Sequence, residues 1–305
     1  MRWQGYSALL LAPAKLTLSL AITGVRSDGY HLLDAEMVSV DLVDVVQIER
    51  GEGLAAVDEV VGGLGLRGMP TGASNLVARA LRVTGRSGAV RLVKRIPLGA
   101  GLGGGSADAA AILRWAGVSD LKVAARVGAD VPFCLSGGRA RVSGVGEVVE
   151  PMSFEERHYT LLLLPFGMDT AAVFAAWDRI AEARGGLRQD GAGGASPVND
   201  LERAAMEVDP RLAHWKDCLG DATGREPRLA GSGSTWFVEG SAEELGLADR
   251  EFLVLKGAKA PLVSVTTVPP VGHAKRVHES WGHESDGHEK PEVDEKPEVD
   301  EKPAP

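Results

Sequence analysis

Cysteine is nearly absent: Cys134 and Cys218 are the only two in 305 residues. Two thiols make no disulfide framework, and both read as small buried apolar side chains of a reducing compartment. Aromatic residues are scarce, at 5%. Basic charge is not in excess: 33 Lys and Arg stand against 42 Asp and Glu, a net charge of −9. That excludes a basic nucleic-acid footprint. No apolar run reaches the ~18–20 uninterrupted residues of a membrane span. The stretch from Ala8 to Ile22 comes closest, but Pro13 and Lys15 interrupt it and Arg2 is its only basic leader. It reads as a strand rather than a signal peptide. These absences predict a cytoplasmic chain with no nucleic-acid or membrane partner.

What is present is glycine, 39 residues of it, in a chain that is 44% apolar and 25% charged. That balance belongs to a globular protein, and the length suits two domains at ~150 residues each. The C-terminus is different. The unit Glu-Lys-Pro-Glu-Val-Asp occurs twice from Glu289, and residues 283–305 hold nine acidic and three basic side chains. Proline at such a density among charges buries no core, so 273–305 is expected to be a disordered acidic tail. His273, His278, His283 and His288 recur every fifth residue; that spacing turns a helix by ~500°, so they share no face and read as solvated tail residues.

The body alternates strand and helix signals, an α+β pattern with a division near residues 150–158. Leu16, Leu18, Leu20 and Ile22 alternate with smaller residues as a period-two strand. Strands are expected at Met37–Leu42 and Val45–Glu49, with Val43-Asp44 as the turn between them, and at Val90–Lys94, Arg139–Val145, Tyr159–Leu164, Thr235–Glu239, Phe252–Leu255 and Ser264–Val268. Helices are expected at Asn75–Val83, Ser106–Ala116, Thr170–Arg184, Leu201–Val208 and Leu212–Leu219. Gly185–Ala195 reads as a Gly-rich loop.

Four segments carry chemistry. The first, Lys94-Arg-Ile-Pro-Leu-Gly-Ala-Gly-Leu-Gly-Gly-Gly-Ser-Ala-Asp108, packs five glycines into seven residues and opens into a helix. Bare backbone followed by a helix N-terminus is a seat for phosphate. It is not a Walker loop, because Gly105 stands where lysine is needed. Gly99, Gly101 and Gly104 match the dinucleotide spacing formally, but Pro97 separates them from the preceding strand. The second segment, Ala12–Leu20, holds Lys15 inside an apolar strand, where an ammonium needs a partner unless it lies at an edge. The third, Gly128-Ala-Asp-Val-Pro-Phe133, holds Asp130, which also reads as a turn or capping aspartate. The fourth, Leu229–Phe237, is a second glycine turn able to present amides to an anion through Gly231, Ser232 and Gly233. A buried Asp–Lys pair beside a phosphate loop is a constellation for phosphoryl transfer.

In this order the segments resemble the GHMP kinase superfamily. Gly24-Val-Arg-Ser-Asp-Gly-Tyr-His-Leu-Leu33 narrows the resemblance to the 4-diphosphocytidyl-2-C-methyl-D-erythritol kinase family, as do Ala12–Lys15, Gly128–Pro132, Gly144-Val-Gly-Glu147 and Asn199-Asp-Leu201. The resemblance spans about residues 8–268. It implies a two-domain GHMP kinase fold, α+β, with a ribosomal-protein-S5-domain-2-like N-terminal domain at 1–155 and a ferredoxin-like C-terminal domain at 156–272. It implies transfer of the γ-phosphoryl of ATP, with Mg²⁺, to the 2-hydroxyl of a cytidine-diphosphate methylerythritol, a small-molecule substrate, by a monomer or weak homodimer. This is a step toward isoprenoid precursors.

The resemblance also implies roles. Asp130 matches the catalytic base and Lys15 the catalytic lysine. Pro97, Leu98, Gly99, Ala100, Gly101, Leu102, Gly103, Gly104, Gly105, Ser106 and Ala107 match the ATP loop, with Lys94 and Asn75 on the nucleotide side and Ser106 facing the phosphates and Mg²⁺. Tyr30 and His31 match residues that stack on and hydrogen-bond the cytosine, with Thr170 and Phe174 across the same pocket. Thr17 stands where the family usually has Asn, and Ala107 where it usually has Ser or Thr. Homoserine and mevalonate kinases are the alternative within the superfamily, and a non-catalytic nucleotide sensor is the alternative outside enzymology. Asp28-Gly-Tyr-His31 speaks against the first, since those kinases hold no cytosine.

Overall fold

The computed structural model describes residues 8–61, 69–70, 72–184 and 199–270. The expected tail, its histidines and the loop Gly185–Ala195 lie outside the described residues. The chain begins with a long antiparallel hairpin, β1 (Ala8–Val25) and β2 (His31–Glu49). β3 (Gly53–Asp58) runs parallel to β4 (Ala89–Lys94), with helix α1 (Leu76–Thr84) between them in sequence. Then come α2 (Gly104–Trp115), α3 (Leu121–Ala125), α4 (Val131–Ser136), β5 (Arg139–Gly144) and β6 (Val148–Pro151). These six strands form one sheet in the order β3-β4-β2-β5-β6, with β1 on β2.

A second sheet follows. β7 (His158–Leu162), α5 (Thr170–Ala183), α6 (Glu202–Val208), α7 (Arg211–Thr223), β8 (Arg228–Leu229), β9 (Trp236–Glu239), β10 (Phe252–Leu255) and β11 (Ala258–Thr266) complete the described chain. The five strands pair antiparallel in the order β10-β11-β7-β9-β8. No helix among the described residues is long and apolar enough to cross a membrane.

The two sheets are joined through β1 and β2. Leu10, Ala12, Leu20 and Ile22 pack in the core that holds α1 and α2. Between two register shifts, Ala14, Leu16 and Leu18 pack instead with Tyr159, Leu161 and Phe237 of the second sheet. Each leucine buried there contributes roughly 1.5–3 kcal/mol. The amide of Val268 donates to the carbonyl of Ser39 at 2.9 Å, and Thr266 donates to Asp41 Oδ1 at 2.8 Å. From Ala14 to Leu18 every residue of β1 is buried. The period-two alternation is lost there because both faces of the strand are covered, and Lys15 and Thr17 lie on the face opposite Leu16.

α2 is nearly all buried, from Ala107 through Arg114 without a break. A helix covered on every side is a core helix, and its alanines favour the helix while letting neighbours approach closely. This plants the N-terminus of α2 firmly beneath the glycine loop.

One expected boundary is corrected. Met37–Leu42 and Val45–Glu49 are not two strands with a turn at Val43-Asp44; β2 runs through. The interruption is a bulge: Pro13 pairs with Val43 and Ala14 with Val40, so two residues of β2 are bypassed. Asp44 is fully buried because its carboxylate has partners that lie far away in sequence. β3, α3, α4, β6 and β8 carried no sequence signal strong enough to be expected, being short and weakly patterned. β11 begins at Ala258 rather than Ser264.

Candidate active site

The glycine loop follows the end of β4 at Lys94 and runs from Pro97. Ala100 and Leu102 turn their side chains into the core shared by the two sheets, which leaves the glycine backbone on the outside. Gly101 has a φ of +78°, and a Cβ there would lie 2.0 Å from the Ala230 carbonyl oxygen. Gly103, at φ +68°, would put a Cβ 2.7 Å from Lys15 Cγ. These two glycines therefore let the loop pack against the 229–235 turn and against Lys15. Gly103 is also the N-cap of α2 and supplies no side-chain cap. The first helical amides, of Gly104, Gly105 and Ser106, are then left for another acceptor, and the dipole favours an anion.

Lys15 lies at the crossing of all four segments. Its amide donates to the Leu102 carbonyl at 3.0 Å. Its ammonium donates to Thr17 Oγ1 at 3.1 Å and stands 3.5 Å from Asp130 Oδ2. Gly231 approaches from the other side, with its Cβ position 3.3 Å from Lys15 Nζ. The Lys15 side chain is 6% exposed and that of Asp130 36%, so the pair joins the buried floor to an open mouth. Asp130 holds the N-cap position of α4 but makes no capping bond. Its carboxylate is left for Lys15 and for whatever enters the cleft.

The second turn is held in place by Asn199, whose amide donates to the carbonyls of Leu229 at 2.9 Å and Gly231 at 2.6 Å. Asn199 also bridges to Leu20 of β1, and Asp200 accepts from the Ile22 amide at 2.8 Å. Ser232 hydrogen-bonds Thr170 at 2.9 Å. Thr170 opens α5, which Asp169 caps by accepting from the Ala171 amide at 2.9 Å.

Lys94 is not at the surface of this cleft. It is 1% exposed, and its ammonium lies between Asp44 and Asp108, the latter at 2.6 Å. Asp44 also accepts from the amides of Arg95 at 2.5 Å and Ile96 at 2.9 Å, fixing the strand end from which the loop departs. Burial works against the Lys94 charge, but the two carboxylates outweigh it and its pKa is raised. Burial pushes the Asp108 carboxyl up to about 7; Lys94 pulls it back and Asp44 adds to the rise. Asp108 Oδ1 has no partner. Asn75 is similarly occupied. It caps α1 by accepting from the Val77 amide at 2.8 Å and donates to the Pro70 carbonyl at 2.7 Å. The side chains of both residues thus support the loop's surroundings rather than face the cleft freely. Asp44 and Asp108 escaped the sequence reading, because they meet Lys94 from positions distant along the chain.

The far end of the cleft is built from the hairpin tip and α5. His31, at the start of β2, meets Phe174 of α5 with ring centres 4.7 Å apart and Trp177 edge-on at 5.5 Å. His31 Nε2 lies 2.7 Å from Asp178 Oδ1. Phe174, Trp177 and Asp178 share one helix face by the i, i+3, i+4 rule; the same rule applied to the sequence would have found the last two. Tyr30 is 62% exposed, with the Arg26 guanidinium 5.4 Å from its ring centre and Arg26 itself tied to Asp28 at 2.7 and 2.8 Å.

The family model described as GHMP kinases N terminal domain matches residues 71–138, a stretch that holds α1 with its cap, the glycine loop, Asp130 and α4. A kinase of Paracoccus denitrificans named 4-diphosphocytidyl-2-C-methyl-D-erythritol kinase is 38% identical over 241 residues, covering 74% of this chain and 84% of the relative. The chain belongs to the 4-diphosphocytidyl-2-C-methyl-D-erythritol kinase family. A second relative of that name, from Cereibacter sphaeroides, is 36% identical over 275 residues and covers 82% of this chain and 94% of its own length. A solved structure, titled as a 4-(cytidine 5'-diphospho)-2C-methyl-D-erythritol kinase, superposes with a TM-score of 0.62 at 30% identity, covering 85% of this chain and 98% of that one. Mevalonate kinase of L. major superposes with a TM-score of 0.55 at 14% identity, covering 87% and 97%, and so shares the fold. The two-sheet architecture is the two-domain GHMP kinase fold, and the family member is a kinase.

Proposed function

We propose that this chain transfers the γ-phosphoryl group of ATP to the 2-hydroxyl of 4-diphosphocytidyl-2-C-methyl-D-erythritol, releasing ADP and the 2-phosphate. The Lys15–Asp130 pair, 3.5 Å apart at the mouth of the glycine loop, carries this reading. Phosphoryl transfer needs position and charge neutralisation more than covalent chemistry. The amides at the start of α2 receive the phosphates. Lys15 gives one ammonium proton to Thr17 and pairs with Asp130 at 3.5 Å, and it directs a further proton at the transferring group or the hydroxyl. Asp130, open on one side, accepts the proton of the attacking hydroxyl or orients it.

Mg²⁺ supplies neutralisation of phosphate charge. No group of three or more His, Cys, Asp or Glu that could hold a metal occurs among the described residues. That suits an ion bound mainly by phosphate oxygens and water, with the Ser106 hydroxyl as the protein's contribution. Thr17 gives Lys15 one hydroxyl, and the loss of a hydroxyl at Ala107 leaves the amide seat of α2 untouched.

The base end explains the size of the acceptor. Thr170, which the resemblance put with Phe174 beside the cytosine, stands beside Ser232 of the second glycine turn, and Asp178 meets His31. Eight residues of helix separate them, about 12 Å, a span that a nucleoside diphosphate arm can fill. The reading sets the chain in the cytoplasm, as a monomer or weak homodimer, with Cys134 and Cys218 as free thiols. Incubation with ATP, Mg²⁺ and the acceptor, followed by ³¹P NMR, should yield ADP and one new phosphomonoester. Nucleotide binding without ADP would make the chain a sensor instead. Equal turnover of an acceptor lacking cytidine would make it a different small-alcohol kinase.

A further inference from the structure

Arg114 is a buried charge that the cleft does not use directly. It stands in the last turn of α2 and is 9% exposed. Among the described residues no carboxylate pairs with it; its guanidinium meets two backbone carbonyls instead. Nη1 donates to the Cys134 carbonyl at 2.6 Å and Nη2 to the Leu11 carbonyl at 3.2 Å. Burial works against the charge and lowers its pKa. A cation without a counter-charge is costly to bury, and an apolar side chain of similar length would serve packing alone.

The two carbonyls belong to the two elements that carry the reacting pair. Leu11 lies on β1, four residues before Lys15. Cys134 lies on α4, one helical turn after Asp130, and its amide donates to the Asp130 carbonyl at 3.1 Å. The other end of α4 is seated as well. Gly146, at φ +106°, would put a Cβ 2.4 Å from the Ala129 carbonyl oxygen, so this turn backs the residue before Asp130. Otherwise α4 is held by the buried Val131, Phe133 and Leu135, and apolar contacts have no direction. A guanidinium is planar, with donors in a rigid fork, and it fixes the spacing of the carbonyls it joins. We infer that Arg114 is a positioning residue that ties β1 to α4 and so sets the separation of Lys15 and Asp130 at which transfer proceeds. This rests on the proposed roles of that pair. Arg114 itself is ten residues from Gly104, about 15 Å along α2, too far to touch the phosphates.

The test is a double-mutant cycle in the full chain with ATP, Mg²⁺ and the acceptor, using the native protein, Arg114→Lys, Asp130→Asn and the two together. Lysine keeps a cation but loses the fork. Arg114→Lys should lower kcat by roughly 10–100-fold, as expected for a displacement of about 1 Å, and leave the KM for ATP unchanged. On top of Asp130→Asn the same change should lower the residual turnover by less than about 2-fold, because the pair it aligns is already broken. Equal fold-losses in both backgrounds would make Arg114 a packing residue and overturn the inference. Should the lysine variant not fold, Arg114→Gln, an uncharged donor for one carbonyl, repeats the cycle. A further measurement needs no variant. The ¹⁵N–¹H signals of the Arg114 Nη groups in the native chain should be separate and slow to exchange with water; one averaged, rapidly exchanging signal overturns the inference. A native chain that forms no ADP refutes the proposed activity instead. Crystal structures of the native and Arg114→Lys chains then decide: a longer Lys15–Asp130 separation in the variant upholds the tie, and an unchanged one overturns it.

Discussion

The proposed phosphate end and the proposed base end of this cleft are held by different forces. At the phosphate end, buried charge and backbone do the holding. Asp44, Lys94 and Asp108 lie at 2% exposure or less, and they grip the strand end and the first turns of α2. At the base end, partly buried side chains meet between the hairpin and α5: His31 on Phe174 and Trp177, with Asp178 at the rim. The reaction needs donors that do not reorganise as charge moves, which a buried network supplies. Recognition of a base can tolerate an interface that forms by docking, since stacking and one or two hydrogen bonds suffice.

The contrast is broken most sharply at the phosphate end. Asp130→Asn should lower turnover by roughly 10²–10⁴, the usual worth of a positioned acid–base group, with nucleotide binding nearly intact. Lys15→Ala should do likewise. Stopped-flow binding of a fluorescent ATP analogue beside steady-state turnover separates the two effects, and unchanged turnover would remove that residue from the mechanism. Next is the support beneath. Asp44→Ala leaves Lys94 short of one carboxylate and strips the amides of Arg95 and Ile96 of their acceptor. It should cost about 3–5 kcal/mol of stability, read as a lower denaturant midpoint.

Asp108 gives a smaller effect with a pH signature. Its folded pKa, about 7, lies above the ordinary 3.8, so folding favours the protonated form. Stability from this group is full below about 3.8, drains as pH rises toward 7, and stays lost above. Asp108→Asn should flatten that window and stabilise the chain at pH 8; an equal slope in denaturant midpoint against pH for both proteins would refute it.

The weakest effects lie at the base end. Phe174→Ala should raise acceptor KM by roughly 1–3 kcal/mol of lost stacking, and Tyr30→Ala by less. Phe174 is already fixed against His31, whereas Tyr30 is exposed and its ordering on binding offsets part of its contact. Titration with the acceptor, at constant ATP, ranks the two; a larger loss from Tyr30→Ala would reverse this account of the pocket.

Much of the molecule was readable along the chain. The alternation of Leu16 through Ile22, the glycines opening into an alanine helix, and the period of Thr170–Arg184 each depend on neighbours a few residues apart. The structure carries them as β1, α2 and α5. Asp44 was misread as a turn because an aspartate within an apolar run is ordinarily a breaker. Its reason for staying in the strand is Lys94, fifty residues on. The glycines were read as room for a ligand, yet Gly101 and Gly103 are needed by the Ala230 carbonyl and the Lys15 stem. Trp177 and Asp178 were within reach of helix periodicity but had no meaning without knowing that the hairpin tip would lie against that face.

The sequence by itself determined the longer strands and helices, the glycine loop opening into α2 and the resemblance that points to a kinase, because propensity, periodicity and motif spacing are local properties of a chain. Which carboxylate meets which cation was decided only by the tertiary structure. Coulomb attraction and burial depend on distance in space, and the carboxylates that meet Lys15, Lys94 and His31 lie between 14 and 147 residues away along the chain.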